Sequence, residues 1–333
     1  MNIIVPMAGM GKRMRPHTLT TPKPLLPIAG KSIVQRLVEN LAEISDEPID
    51  RIGFVTGRFG KETEESLMQI AKEAGAVGSI HYQDEALGTA HAIMCAQEVL
   101  EGKTIVAFAD TLFKADFQID HNADGVLWVQ QIDDPSAFGV VKLNTEGVIT
   151  DYVEKPTEFV SDLAMIGIYY FKDGSALKTE LQYLLDNDII KGGEYQLPDA
   201  LRNMTEKGVR FVPGKVDEWL DCGNKNATVY TNSRILAFDH EKGEKLVHPS
   251  AQIKDSVIIE PCYIGEGVEI SNSVIGPGVS ISSHTKISGS VIDNSIVYSN
   301  TVIANKTFGN SMIGHFVKLE DQVEDLNIGD YSA

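Results

Sequence analysis

The chain has 333 residues, 43% of them hydrophobic and 23% charged, with ordinary amounts of Gly and Pro. This is a globular composition with room for about two domains, which excludes a disulfide miniprotein, a collagen-like chain and a disordered one. Asp and Glu number 47 against 29 Lys and Arg, a formal net charge of −18, so non-specific binding to nucleic acid or anionic membrane is disfavoured and an anionic substrate would need a local concentration of cations.

In chain order, Ile3-Ile4-Val5 is the first predicted strand, followed by buried strands at 52–55 and 105–108. Helical spacing runs over 33–44 and over 62–74, where Gly75 supplies the stop, and a third helix is predicted over 89–100. Residues 126–129, 140–143 and 166–171 read as later strands with some antiparallel character, and 224–238 as a helix. This alternation predicts an α/β domain over residues 1–240 around a mixed, mostly parallel sheet. No apolar run approaches the ~20 residues of a membrane span. The opening Met1-Asn2-Ile3-Ile4-Val5-Pro6 lacks a basic stretch followed by a long apolar one, so a cytoplasmic protein is expected. Cys95, Cys222 and Cys262 are odd in number, widely spaced and without a C-x-x-C pair, and are expected to be buried thiols.

The polar run Glu241-Lys242-Gly243-Glu244-Lys245 marks a change of composition. Residues 246–333 contain no Arg, four Lys and three Leu, but 23 Ile and Val. Ser256-Val257-Ile258, Ser273-Val274-Ile275 and Ser290-Val291-Ile292 recur every 17 residues, and Ser311-Met312-Ile313 reads as a fourth copy after a slip. Ile264, Ile270, Ile275, Ile281, Ile287 and Ile292 follow one another at five or six residues, which suits a triangular solenoid whose short strands each send one side chain inward. The segment resembles the hexapeptide-repeat left-handed parallel β-helix and would hold four or five coils.

The chemistry concentrates after the first strand. Ala8-Gly9-Met10-Gly11-Lys12-Arg13 is followed by Pro22-Lys23-Pro24-Leu25, and glycines at a strand end with cations beside them imply a phosphate site. The spacing is that of neither a Walker-A loop nor a G-x-G-x-x-G dinucleotide fingerprint. Gln83 with Leu87-Gly88-Thr89-Ala90, the strand-end Ala109-Asp110, Glu154-Lys155-Pro156 and Trp219-Leu220-Asp221-Cys222-Gly223 follow in that order.

With these blocks the sequence closely resembles the sugar-phosphate nucleotidyltransferases, including long-form glucose-1-phosphate thymidylyltransferases. The resemblance implies that Ala8, Gly9, Gly11 and Lys12 wrap a nucleoside triphosphate with Arg13 and Lys23 on its phosphates. It implies that Gln83, Gly88 and Thr89 receive the base, and that Asp110 and Asp221 hold Mg²⁺, a hard cation suited to carboxylate oxygens. Glu154 would bond sugar hydroxyls and Lys155 would neutralise the sugar phosphate, with Gly139, Gly167 and Glu194 in the sugar pocket. The implied reaction joins a nucleoside triphosphate to a hexose 1-phosphate with release of pyrophosphate, glucose 1-phosphate with dTTP or UTP being the first choice. Arg13, Lys23 and Lys155 would act by charge and position, and no general base is needed. The alternatives are an N-acetylamino sugar or mannose 1-phosphate, a non-catalytic scaffold, and a bifunctional enzyme whose tail transfers acyl groups through His284 or His315. A homo-oligomer is expected.

Overall fold

The computed structural model describes residues 1–45, 47–115, 119–120 and 122–321. Strand β1 (Asn2–Pro6) is buried along its length. It is followed by the short hairpin β2 (Pro27–Ile28) and β3 (Lys31–Ser32), then α1 (Ile33–Ile44), β4 (Arg51–Thr56), α2 (Lys61–Glu73) and β5 (Val77–Tyr82). Helix α3 (Thr89–Cys95) leads to β6 (Thr104–Ala107), β7 (Thr111–Lys114), β8 (Gly125–Gln131), β9 (Gly139–Leu143), β10 (Ile149–Glu154) and β11 (Leu163–Phe171). Next come α4 (Gly174–Asp186), α5 (Leu197–Glu206), β12 (Phe211–Lys215), β13 (Glu218–Asp221) and α6 (Lys225–Glu241).

Helix α1 has its expected bounds, whereas α3 ends at Cys95, short of Leu100. Its last turn tightens through Ala96 N–H to Ile93 O at 3.1 Å and Gln97 N–H to Met94 O at 3.0 Å, i to i−3 bonds that end the helical ladder. Strand β5, Val-Gly-Ser-Ile-His-Tyr, escapes sequence reading because it is an edge strand with no buried residue.

Two compact units divide the chain: Met1–Leu25 with Ile33–Asp221, and Leu26–Ser32 with the residues from Cys222 onward. The composition changes only later, after α6, because α6 is an ordinary helix sequence. In the first unit the sheet runs β10-β9-β11-β6-β1-β4-β5, with β8 paired to β11 and β12 paired to β8. Strand β1 lies parallel to β4 and β6, and β4 parallel to β5, while β11 runs antiparallel to β6, β8 and β9. This is a mixed Rossmann-like α/β sheet, with β1 and β6 buried at its centre.

The second unit joins the β2–β3 hairpin, α6 and a left-handed parallel β-helix. Asn232 of α6 is fully buried and satisfied. Its Oδ1 accepts from Ala29 N–H at 3.0 Å and from the Ser280 hydroxyl at 2.6 Å, and its Nδ2 donates to Gly278 O at 3.1 Å. Among the described residues the β-helix has three parallel sheets of five, four and four strands. The six isoleucines singled out by spacing all point inward, none more than 2% exposed. A hydroxyl ladder runs up one corner: Ser256 Oγ accepts from Ser273 N–H, Ser273 Oγ from Ser290 N–H and Ser290 Oγ from Lys306 N–H, each at 3.1 Å.

The fourth copy of the repeat differs from the expectation. Ile292 pairs with Phe308, so Thr307–Phe308 continues that face, whereas Met312–Ile313 pairs with Ile296–Val297 on another. The cause is a shortened coil: Ile253, Ile270 and Ile287 pair at intervals of 17, and Ile287, Ile303 and Leu319 at 16. Several corners are taken by Asn at positive φ, among them Asn272, Asn300 and Asn305, a residue that tolerates the left-handed region. His315 stacks on Tyr298 at 4.9 Å and shares a hydrogen bond with Ser299 Oγ at 2.8 Å, while His284 turns a corner at φ +58°. Cys222 and Cys262 are buried and Cys95 half-buried. Among the described residues no helix is long and apolar enough to cross a membrane.

Candidate active site

The glycine-rich loop leaves β1 at its carboxyl end, where open α/β sheets bind ligands. Met7 N–H continues the pairing to Val55 O at 2.8 Å, and the chain then turns. Gly11 makes the turn at φ +56°; a Cβ there would lie 3.0 Å from Lys23 Cβ and 3.1 Å from Thr18 Cγ2, and Gly11 O accepts from the Thr18 hydroxyl at 2.8 Å. The loop is thereby folded back against Lys23. Met14, 1% exposed, anchors the single turn Lys12–Met14 and leaves Lys12 and Arg13 in solvent.

Lys23 Nζ lies 2.7 Å from Asp110 Oδ2, and its side chain is only 13% exposed. Asp110 is in the tight turn after β6, where Thr111 N–H reaches Phe108 O at 3.3 Å. Strand β13 pairs antiparallel with β7 and sets Asp221 opposite Thr111, so the two candidate metal carboxylates come from neighbouring positions of adjacent chain segments.

Gly88 is held at φ +110° with its backbone against the loop before α5: Tyr195 N–H donates to Leu87 O at 2.8 Å and Ala90 N–H to Tyr195 O at 3.0 Å. The Thr89 hydroxyl accepts from Leu197 N–H at 2.9 Å and ties the start of α5 to that of α3. Thr89 itself is the first residue of α3 and not its cap.

One cavity of about 250 Å³ gathers much of this. Ala8, Gly9, Gly11, Gln83, Gly88 and Thr89 line it, with Lys23, Asp110 and Glu194. Its walls also include Met7, Pro24 of the Pro22-Lys23-Pro24-Leu25 block, and Phe108, which sequence reading did not single out because an apolar wall residue looks like core. Lys12, Arg13, Gly139, Glu154, Lys155, Gly167 and Asp221 do not line it.

Of the sugar-pocket candidates only Glu194 lines this cavity; Gly139, Glu154, Lys155 and Gly167 stand outside its lining. Gly139 faces Glu154 across β9 and β10, and a Cβ on it would lie 2.7 Å from Glu154 Oε2 and 2.5 Å from Met165 Cε, so the glycine admits the carboxylate. Burial pushes the Glu154 carboxyl above its usual range, Lys155 opposing and Glu194 adding to the shift. Lys155 has φ +43°, donates its backbone N–H to Phe138 O at 3.1 Å and carries a side chain 67% exposed. Gly167, at φ +86°, occupies the register break of β11, and its carbonyl accepts from Phe108 N–H at 2.9 Å. It thus supports the turn that carries Asp110.

The family model described as nucleotidyl transferase matches residues 2–237. The chain belongs to the nucleotidyl transferase family. Among curated proteins, this nucleotidyl transferase is 27% identical over 360 residues to a glucose-1-phosphate thymidylyltransferase of Streptomyces antibioticus, covering 100% of this chain and 98% of that one. It is 28% identical over 263 residues to the bifunctional protein GlmU of Methanococcus maripaludis, covering 78% of this chain but only 60% of that protein's length. Among solved structures, a putative glucose-1-phosphate thymidylyltransferase from Bacillus anthracis in complex with a sucrose shares the fold at TM-score 0.59 and 24% identity, over 70% of this chain and 94% of that one.

Proposed function

We propose that this nucleotidyl transferase makes a nucleotide sugar from a nucleoside triphosphate and a hexose 1-phosphate, with glucose 1-phosphate and dTTP or UTP as its substrates. The observation that carries the reading is the cavity itself: a glycine-rich loop, a half-buried lysine on a carboxylate, and the Gln83–Gly88 segment share one wall system. The likeness to the Streptomyces thymidylyltransferase over the full length of both chains supports the choice of substrates.

In this reading a sugar-phosphate oxygen attacks the α-phosphorus in line and pyrophosphate leaves. Lys23 and Arg13 neutralise the triphosphate, Lys155 meets the sugar phosphate, and Glu154 accepts from sugar hydroxyls. Asp110 and Asp221 suit a divalent cation such as Mg²⁺: two hard oxygen donors at neighbouring positions supply part of a coordination sphere that water and phosphate oxygens complete. Bound there, the ion would add charge stabilisation on the triphosphate. Lys23 holds Asp110 through its ammonium group, which carries three donors and so could serve a phosphate as well.

The test is pyrophosphate release with Mg²⁺ across a grid of nucleoside triphosphates and sugar 1-phosphates. Release with glucose 1-phosphate and dTTP or UTP is expected; release confined to an N-acetylamino sugar or mannose 1-phosphate would reassign the sugar, and silence across the grid from folded protein would overturn the reading. Lys155 adds a second check. A residue with a Cβ at positive φ is strained by about 1–2 kcal/mol, so Lys155→Gly is expected to leave the melting temperature unchanged or raised while kcat/KM for the sugar phosphate falls roughly a hundredfold. Equal losses of stability and activity would remove Lys155 from the site.

A further inference from the structure

Gln83 follows β5, and its backbone N–H donates to Thr56 O at 2.9 Å. Its side-chain nitrogen lies 3.1 Å from Gly88 O and 3.1 Å from His91 Nδ1. A carbonyl oxygen only accepts, so Gly88 O fixes the NH₂ end of the Gln83 amide on its side. The second N–H of that group then points at His91, whose Nδ1 must accept, which places the ring proton on Nε2 of a neutral imidazole. Burial lowers the pKa of His91 and favours the same neutral form. Gln83 lines the cavity and His91 does not. With both amide protons engaged inside the protein, what Gln83 offers a ligand is its oxygen, an acceptor alone.

We infer that His91 is a positioning residue that consumes the second Gln83 N–H, so that the site favours a base with a ring N–H donor, as in uracil and thymine, over one with a bare ring nitrogen, as in cytosine. Gly88 O alone would orient the amide but leave one N–H free to serve cytosine; His91 removes that option, and discrimination follows from the mismatch it leaves for the wrong base. The inference rests on the proposed function for its ligand class.

The experiment titrates UTP, dTTP and CTP into the full-length protein, into His91→Leu and into His91→Asn, whose Oδ1 can replace Nδ1 as acceptor. His91→Leu is expected to bind the better of UTP and dTTP about tenfold more weakly and to lose about tenfold in selectivity against CTP, the scale of one hydrogen bond. His91→Asn is expected to stay close to the parent protein. Selectivity unchanged in His91→Leu, equal defects in both variants, or a parent protein that does not prefer UTP or dTTP to CTP would overturn the inference. Nitrogen-15 NMR of the parent imidazole gives an arm independent of substitution: Nδ1 without a proton is expected, and a proton on Nδ1 overturns it. Selectivity that tracks His91 as expected, with no pyrophosphate release in any cell of the grid, would sink the proposed reaction and leave this inference standing.

Discussion

Asp110→Asn is expected to lower pyrophosphate release by at least about a thousandfold, the scale set by loss of one preorganised charge at a transferring phosphoryl group together with a metal donor. Asparagine keeps the size of the side chain and can still accept a bond from Lys23, so position is retained and charge alone is removed. Lys23 is 13% exposed and Asp110 38%. With its Asp110 end open to water, the pair contributes only about 1 kcal/mol to stability. The variant should therefore remain folded, with a melting curve within a few degrees of the parent. Activity within threefold of the parent would show that Asp110 is a structural partner for Lys23 and nothing more.

Gly88→Ala should damage both folding and binding. At φ +110° any side chain is strained, and the added methyl would lie 2.4 Å from Tyr195 O and 2.8 Å from Tyr195 N. Both atoms are backbone and both are engaged, one by Ala90 N–H and the other with Leu87 O, so neither can retreat without opening the junction between the base segment and the loop before α5. A loss of about 2–4 kcal/mol in urea unfolding is expected, with nucleotide affinity reduced about a hundredfold. Gly9 supplies the contrast, since a Cβ there meets nothing within 4 Å. Gly9→Ala should fold normally, and a defect confined to triphosphate binding would show that the ligand, and not the protein, needs that space.

The parts of this site that could be read from sequence are those encoded locally. Apolar runs gave β1 and β6, and the glycine and aspartate blocks stand just beyond their carboxyl ends. The β-helix was legible because its inward isoleucines repeat. What sequence could not show is pairing across distance. Lys23 and Asp110 are 87 residues apart, and their contact depends on the order β6-β1 in the sheet. The Gly88–Tyr195 junction joins segments that share no pattern, and the hydrogen bond from Gln83 to His91 shows only once α3 starts at Thr89. Helices α4 and α5 also went unread. The coil change from 17 to 16 residues defeated the reading of Ser311: Ser311-Met312-Ile313 looks like Ser290-Val291-Ile292 but pairs with Ser295-Ile296-Val297, and only the ladder distinguishes the faces.

The chain passes between its two units at Leu25/Leu26, Ser32/Ile33 and Asp221/Cys222. The first crossing comes two residues after Lys23 and the last directly after Asp221, so two of the three covalent joints leave from the candidate site itself. The β-helix is therefore not a cargo that can be cut off or exchanged at a linker. A chain stopped at residue 240 would keep Leu26–Ser32 and α6 but strip the Asn232 side chain of two of its three partners, Gly278 and Ser280, leaving it only Ala29 N–H. Recombination between members of this family would have to exchange the hairpin together with everything after Asp221 to yield a working chimera, although the two pieces lie nearly two hundred residues apart in the gene.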